Sequence, residues 1–251
     1  MSARASVSRT AVVTGAAQGL GESIARALHS QGHAIVLADV HEEGAQAAAT
    51  VLDPTGERAV GAWVDVRDRA SVERLFIDAI ERFGQVDILV NNAAITVPRP
   101  FFEINQDEWD DVLAVNLRGV LFGCQIAGLH MRELGWGRIV NLASLAGQQG
   151  GLVAGAHYAA SKAGIIVLTK IAAAALAASG VTVNAVSPAA IDGPVMASLP
   201  AERVKELAER IPVGRVGRPE EVGALVAYLV SEEAAYATGA TFDLNGGLFM
   251  R

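Results

Sequence analysis

Short apolar runs alternate along the whole chain with longer stretches whose apolar positions recur every three or four residues. The runs read as buried strands: Val12–Val13, Ala34–Ala38, Ala59–Val64, Val86–Val90, Arg138–Leu142, Thr182–Val186 and Ala240–Leu244. The periodic stretches read as helices: Ser23–Gln31, Glu42–Leu52, Arg69–Phe83, Gln106–Met131, His157–Ala178, Ala201–Arg210 and Pro219–Leu229. In Arg69–Phe83, for example, Val72, Leu75, Phe76 and Ile80 share one face.

Strands this apolar are covered on both sides, which points to a parallel sheet. Strand and helix in strict alternation predict an α/β chain. The expected form is one doubly wound (Rossmann-type) domain over residues 1–251, a seven-stranded parallel sheet with helices on both faces. A loop and helix excursion is expected at about 189–213. Ligands of such sheets sit at the carboxyl ends of the strands. The polar or glycine breaks fall there: Gly15, Asp39, Asp65, Asn91–Asn92, Ser144 and Pro188.

Composition narrows the partners. Among 251 residues 51% are hydrophobic, too many for a disordered chain, and the net charge of −7 without a basic block argues against nucleic acid. The one cysteine, Cys124, excludes an internal disulfide framework and a cysteine zinc site, and reads as a packing residue. The five histidines (His29, His33, His41, His130 and His157) have no ligand spacing; they read as surface or loop residues, and no metal is expected. Met1–Arg9 lacks an apolar signal core, which predicts a cytoplasmic protein. Ala163–Ala178 is apolar but broken by Lys170, and reads as a buried or interface helix, not a membrane span.

Candidate chemistry follows the strand ends. Gly15-x-x-x-Gly19-x-Gly21 lies where a strand turns into a helix, so backbone N–H groups and the helix dipole could cradle phosphate. Alone it also fits a glycine turn with no ligand. Asp39 ends the second strand, where a carboxylate can accept from both ribose hydroxyls and repel a 2′-phosphate; this selects NAD over NADP. Tyr158 and Lys162, four apart, share a helix face, and a nearby ammonium would favour the phenolate. By themselves they fit a surface pair better. Ser144 closes the fifth strand, placed to donate to a carbonyl oxygen; without Gly-x-Ser-x-Gly or a His/Asp pair it is not a nucleophile. Asn116, amid apolar neighbours, reads either as backbone satisfaction or as part of the same site.

Taken together these segments resemble the short-chain dehydrogenase/reductase family over about Arg9–Gly247. The likeness rests on Thr14-Gly15-x-x-x-Gly19-x-Gly21, Asp65–Val66, Asn91-Asn92-Ala93-Ala94, Asn116, Ser144, Tyr158-Ala159-Ala160-Ser161-Lys162 and Pro188-Ala189-Ala190-Ile191. The resemblance implies Tyr158 as general acid/base and Lys162 as the residue that lowers its pKa and binds the nicotinamide ribose. It implies Ser144 as carbonyl polariser and Asn116 as holder of a water that links Lys162 to solvent. Asp65 and Val66 would hold the adenine, Asn92 the neighbouring ribose by its backbone, and Ile191 the carboxamide. Gln18 and Leu20 would follow the pyrophosphate and nicotinamide. It also implies a homotetramer through the two long helices and last strand, where Ala172–Ala175 permit close approach. Ala94, Ala189 and Gly193 depart from the family's usual glycine, glycine and threonine.

The expected activity is NAD-dependent interconversion of a secondary alcohol and a ketone. A 3-oxoacyl-thioester reductase of the same fold and a non-catalytic dinucleotide-binding protein are the alternatives. Leu145, Leu152, Val153, Val195, Met196 and Leu199 suggest an apolar pocket, better suited to a cyclic or aryl-alkyl alcohol than to a polyol.

Overall fold

A computed structural model describes residues 8–151, 154–197 and 199–250. Its first strand, β1 (Thr10–Thr14), shows why the strands are apolar throughout. Ala11 and Val13 enter one hydrophobic cluster and Val12 the other, and all three are fully buried. The remaining strands are β2 (Ala34–Asp39), β3 (Ala59–Trp63), β4 (Ile88–Asn91), β5 (Gly137–Leu142), β6 (Val181–Pro188) and β7 (Thr241–Leu244). They form one seven-stranded sheet in the order β3-β2-β1-β4-β5-β6-β7, every neighbouring pair parallel. The order reverses between β1 and β4, and a crevice opens at such a switch point.

The helices are α1 (Gly19–Ser30), α2 (Glu42–Leu52), α3 (Arg69–Phe83), α4 (Gln106–Leu113), α5 (Gly119–Leu134), α6 (Ala146–Gln149), α7 (Ala156–Leu176), α8 (Pro194–Ala197), α9 (Ala201–Arg210) and α10 (Pro219–Leu229). α1, α2 and α10 cover one face of the sheet through Ile24, Leu28, Ala45, Ala49, Val222 and Val226. α3, α5 and α7 cover the other through Val72, Phe76, Val120, Met131, Ile165 and Leu176. Each large side chain buried this way contributes about 1.5–3 kcal/mol.

The long pattern Gln106–Met131 is not one regular helix. α4 and α5 are joined by a π-helical turn, Ala114–Arg118, with Asn116 fully buried inside it. Apolar periodicity does not register one extra residue per turn, and π turns concentrate at functional sites. The runs Gln106–Leu134 and Ala156–Ser179 are long and apolar enough to cross a membrane; here both lie against the sheet, with Cys124, Met131, Ile165 and Ala173 buried.

Candidate active site

β1 runs directly into the glycine loop. Gly15 has φ 66°, in the left-handed region, and a Cβ there would lie 2.7 Å from Ala93 Cα. A Cβ on Gly21 would collide with the Gly15 carbonyl oxygen. The loop is therefore pressed against the end of β4, and two side chains lock it there. Thr14 Oγ1 accepts from the N–H groups of Asn92 and Ala93, both at 3.1 Å. Asn92 Nδ2 donates to the carbonyls of Thr14 and Gly15, both at 2.9 Å.

A groove of about 900 Å³ follows the strand ends. Gly15, Gln18, Gly19, Leu20, Asp39, Asp65, Val66, Asn92 and Ile191 line it. Gly21 lies beneath the loop, and Pro188 closes β6, where its carbonyl accepts from Leu145 N at 2.9 Å. Neither is part of the groove wall. Asp39 Oδ2 accepts from Ala17 N and Oδ1 from His41 N, both at 3.0 Å. Each carboxylate oxygen keeps a further lone pair, two acceptor sites in all. A cradle closed to Cβ atoms, followed by a carboxylate with two acceptor sites, fits the pyrophosphate and ribose of a dinucleotide.

Beyond Ile95 the groove meets the chemical cluster. Asn116 Oδ1 accepts from Ile95 N at 2.8 Å, and its Nδ2 donates to Ile95 O at 2.9 Å and Ser161 Oγ at 3.2 Å. The amide is thus committed to one backbone residue and to α7. Ser144 Oγ accepts from Ala146 N at 3.1 Å. Tyr158, on the first turn of α7, has the hydroxyls of Ser144 and Thr96 as polar neighbours of its phenol. Lys162 Nζ, buried, donates to Leu142 O at 2.6 Å and lies 5.6 Å from the Tyr158 ring centroid.

Burial acts on both members of the pair. Burial pushes the Tyr158 phenol above its ordinary value, and the Ser144 and Thr96 hydroxyls oppose that rise. Burial also pulls Lys162 down to about 8. The two hydroxyls favour the phenolate, and the Lys162 ammonium lies beside the same ring. Thr96 is not among the residues expected at the site; its place five positions beyond the polar break at Asn91 is the signal the sequence carries.

His157 corrects the reading of all histidines as surface residues. It is fully buried, and so nearly is His33. Its Nδ1 accepts from Tyr158 N at 2.8 Å, and its ring lies beneath Gly155, where a Cβ would come 2.6 Å from Cε1. The first turn of α7 is covered by neighbouring chain, which a polar residue at a helix start does not announce. Leu145 is buried and Met196 half-buried. Leu152 and Val153, and the side chain of Val195, lie outside the described residues.

A family model described as Enoyl-(Acyl carrier protein) reductase matches residues 15–249. The chain belongs to the short-chain dehydrogenase/reductase family. Relatives within it span nearly the full length of both chains. A cis-4-hydroxycyclohexanecarboxylate dehydrogenase of Sinomonas cyclohexanicum is 42% identical over 95% of this chain and 96% of its own. A 2-dehydro-3-deoxy-L-rhamnonate dehydrogenase (NAD(+)) of a Sphingomonas species is 39% identical over 95% and 94%. A 3-oxoacyl-acyl-carrier-protein reductase FabG of Vibrio cholerae is 37% identical over 96% and 98%. Like these short-chain dehydrogenase/reductase proteins, the chain is an oxidoreductase of nicotinamide dinucleotides.

Proposed function

We propose that this oxidoreductase interconverts a secondary alcohol and a ketone with NAD, Tyr158 exchanging the proton at the substrate oxygen. The observation that carries it is the meeting of Tyr158, Ser144 and Lys162 at the end of β5, beside a groove whose β2 edge ends in Asp39.

NAD, when bound, supplies the hydride acceptor. Gly15, Gly19 and Asp39 hold its phosphates and ribose, and Asp39 disfavours a 2′-phosphate by like charge. As phenolate, Tyr158 takes the hydroxyl proton; as phenol, it returns the proton to a carbonyl oxygen. Ser144 Oγ donates to that oxygen as negative charge builds on it. Lys162 contributes positive charge beside the ring, and Asn116 holds the Ile95 segment from which Thr96 reaches the phenol.

The relative named for NAD(+) supports the choice of nucleotide, and the relative named for a hydroxycyclohexane acid supports a ring alcohol. The substrate is a small, fairly apolar alcohol or ketone; no nucleic acid or membrane takes part. We place the protein in the cytoplasm as a homotetramer, which would cover the exposed Val167 and Ile171 of α7.

A panel of secondary alcohols with NAD and NADP, read at the nicotinamide absorbance, tests the reading. Tyr158→Phe should abolish turnover while NAD still binds; a variant keeping most of its activity would refute the assignment. The FabG relative favours a second reading, a 3-oxoacyl-thioester reductase. NADPH preference with an acyl thioester as best substrate would establish it instead.

A further inference from the structure

Both backbone groups of Tyr158 are held by side chains. Its carbonyl accepts from Ser161 Oγ at 2.7 Å, and that hydroxyl accepts from Asn116 Nδ2 at 3.2 Å. Its N–H donates to His157 Nδ1 at 2.8 Å. The first N–H groups of a helix have no partner within it, and a side chain at the N-cap normally takes one of them. At α7 the N-cap is Gly155, with φ 82° and the His157 ring where a Cβ would stand. His157, one residue before the tyrosine, supplies the acceptor that this glycine lacks.

The other ring nitrogen shows that packing alone does not account for a histidine here. Because Nδ1 accepts, the ring proton sits on Nε2. His157 is fully buried, and Nε2 has no hydrogen-bond partner among the described residues. A buried donor left unpaired costs stability, a cost that a phenyl ring of like size would not incur. The imidazole is therefore penalised at Nε2 while it meets a need at Nδ1. A Cβ on Gly155 would also lie 3.2 Å from Val97 O, so the ring borders the segment that carries Thr96.

Resting on the alcohol–ketone reading above, we propose that His157 is a positioning residue for the reaction. Its Nδ1 fixes the first turn of α7, which keeps the Tyr158 phenol at the substrate oxygen. His157 does not line the nucleotide groove, so its effect falls on turnover and not on binding.

Three variants separate the acceptor from the ring. His157→Phe keeps a ring and removes the acceptor. His157→Asn places an amide oxygen where Nδ1 stands, and His157→Gln places its amide near Nε2 instead. Circular dichroism gives the folded fraction, to which each rate is referred. With NAD and the best alcohol of the panel, His157→Phe should lose about tenfold or more in kcat, with KM for the alcohol and NADH affinity within about twofold of the wild type. His157→Asn should return to within about threefold of the wild type, and His157→Gln should not. A second measurement needs no turnover: amide hydrogen exchange, read by NMR on isotopically labelled tyrosine. The chain has three tyrosines, and Tyr158 is the signal missing from Tyr158→Phe. Its amide should exchange about tenfold faster in His157→Phe than in the wild type, and His157→Asn should restore the protection. A His157→Phe kcat within about twofold of the wild type, or equal Tyr158 exchange in the two, would overturn the proposal. So would equal kcat in His157→Asn and His157→Gln, a comparison that decides alone if His157→Phe does not fold. A wild-type protein inactive on every alcohol and ketone would instead overturn the alcohol–ketone reading, and the inference with it.

Discussion

Replacing Asn116 with leucine keeps the side-chain size and removes all three of its hydrogen bonds. Two of them join the N–H and C=O of Ile95, and the third joins Ser161 Oγ. A bond removed so that a buried partner is left unsatisfied costs about 1–3 kcal/mol. Ile95 is only half-buried and can recover some hydration, and Ser161 Oγ keeps its bond to Tyr158 O at 2.7 Å. These place the loss near the lower bound, about 2–3 kcal/mol in total. For a chain of this size that corresponds to a fall in Tm of roughly 5–10 °C. Urea and thermal unfolding followed by circular dichroism measure it directly. The same substitution frees the segment that brings Thr96 to Tyr158, so kcat should fall by more than the folded fraction does. A variant within about 0.5 kcal/mol of the parent, the range of an ordinary surface substitution, would refute this account of the π turn.

Three further outcomes follow. Asp39→Asn loses one acceptor and the charge, so NADH binding should weaken about tenfold and the NADPH-to-NADH ratio should rise, measured by fluorescence titration; an unchanged ratio would remove Asp39 from cofactor selection. Cys124 is buried, with its thiol pushed up to about 12, so a thiol reagent should leave the native protein unlabelled and modify it only after unfolding in guanidinium; fast native labelling would contradict the packing of α5. Glu221 accepts from both Arg215 and Arg218 N, and its carboxyl falls from 4.5 to about 2. A depressed folded value adds stability above pH 4.5, lost as pH falls toward 2, so the acid limb of Tm against pH should be shallower in Glu221→Gln; identical limbs would rule out that contribution.

Much of the architecture was legible residue by residue. Seven apolar runs, the first six each followed by a helical period, require a parallel sheet covered on both sides, because only full burial tolerates strands such as Ala34–Ala38. The spacing of Tyr158 and Lys162 placed both on one helix face, and the glycines marked the turn at β1, because both are local backbone constraints. The element boundaries, the π turn around Asn116, and the burial of His157 were not legible in this way. They depend on which chain segment lies opposite, and one-dimensional periodicity does not encode that.

The division is sharpest at the site. Sequence alone determined the strand ends at which Ser144, Asp39 and Asp65 would emerge, since the order of elements fixes the carboxyl edge of the sheet. Only the tertiary structure decided what each side chain touches there: Asn92 holding the glycine loop, Asn116 gripping Ile95, Thr96 reaching the phenol, and Arg67 clamped between two carboxylates. Apart from the Asp65–Arg67 pair, these partners lie at least 21 positions apart along the chain. Hydrogen bonds depend on distance and angle in space, so their pairing is settled only once the sheet has closed the chain upon itself.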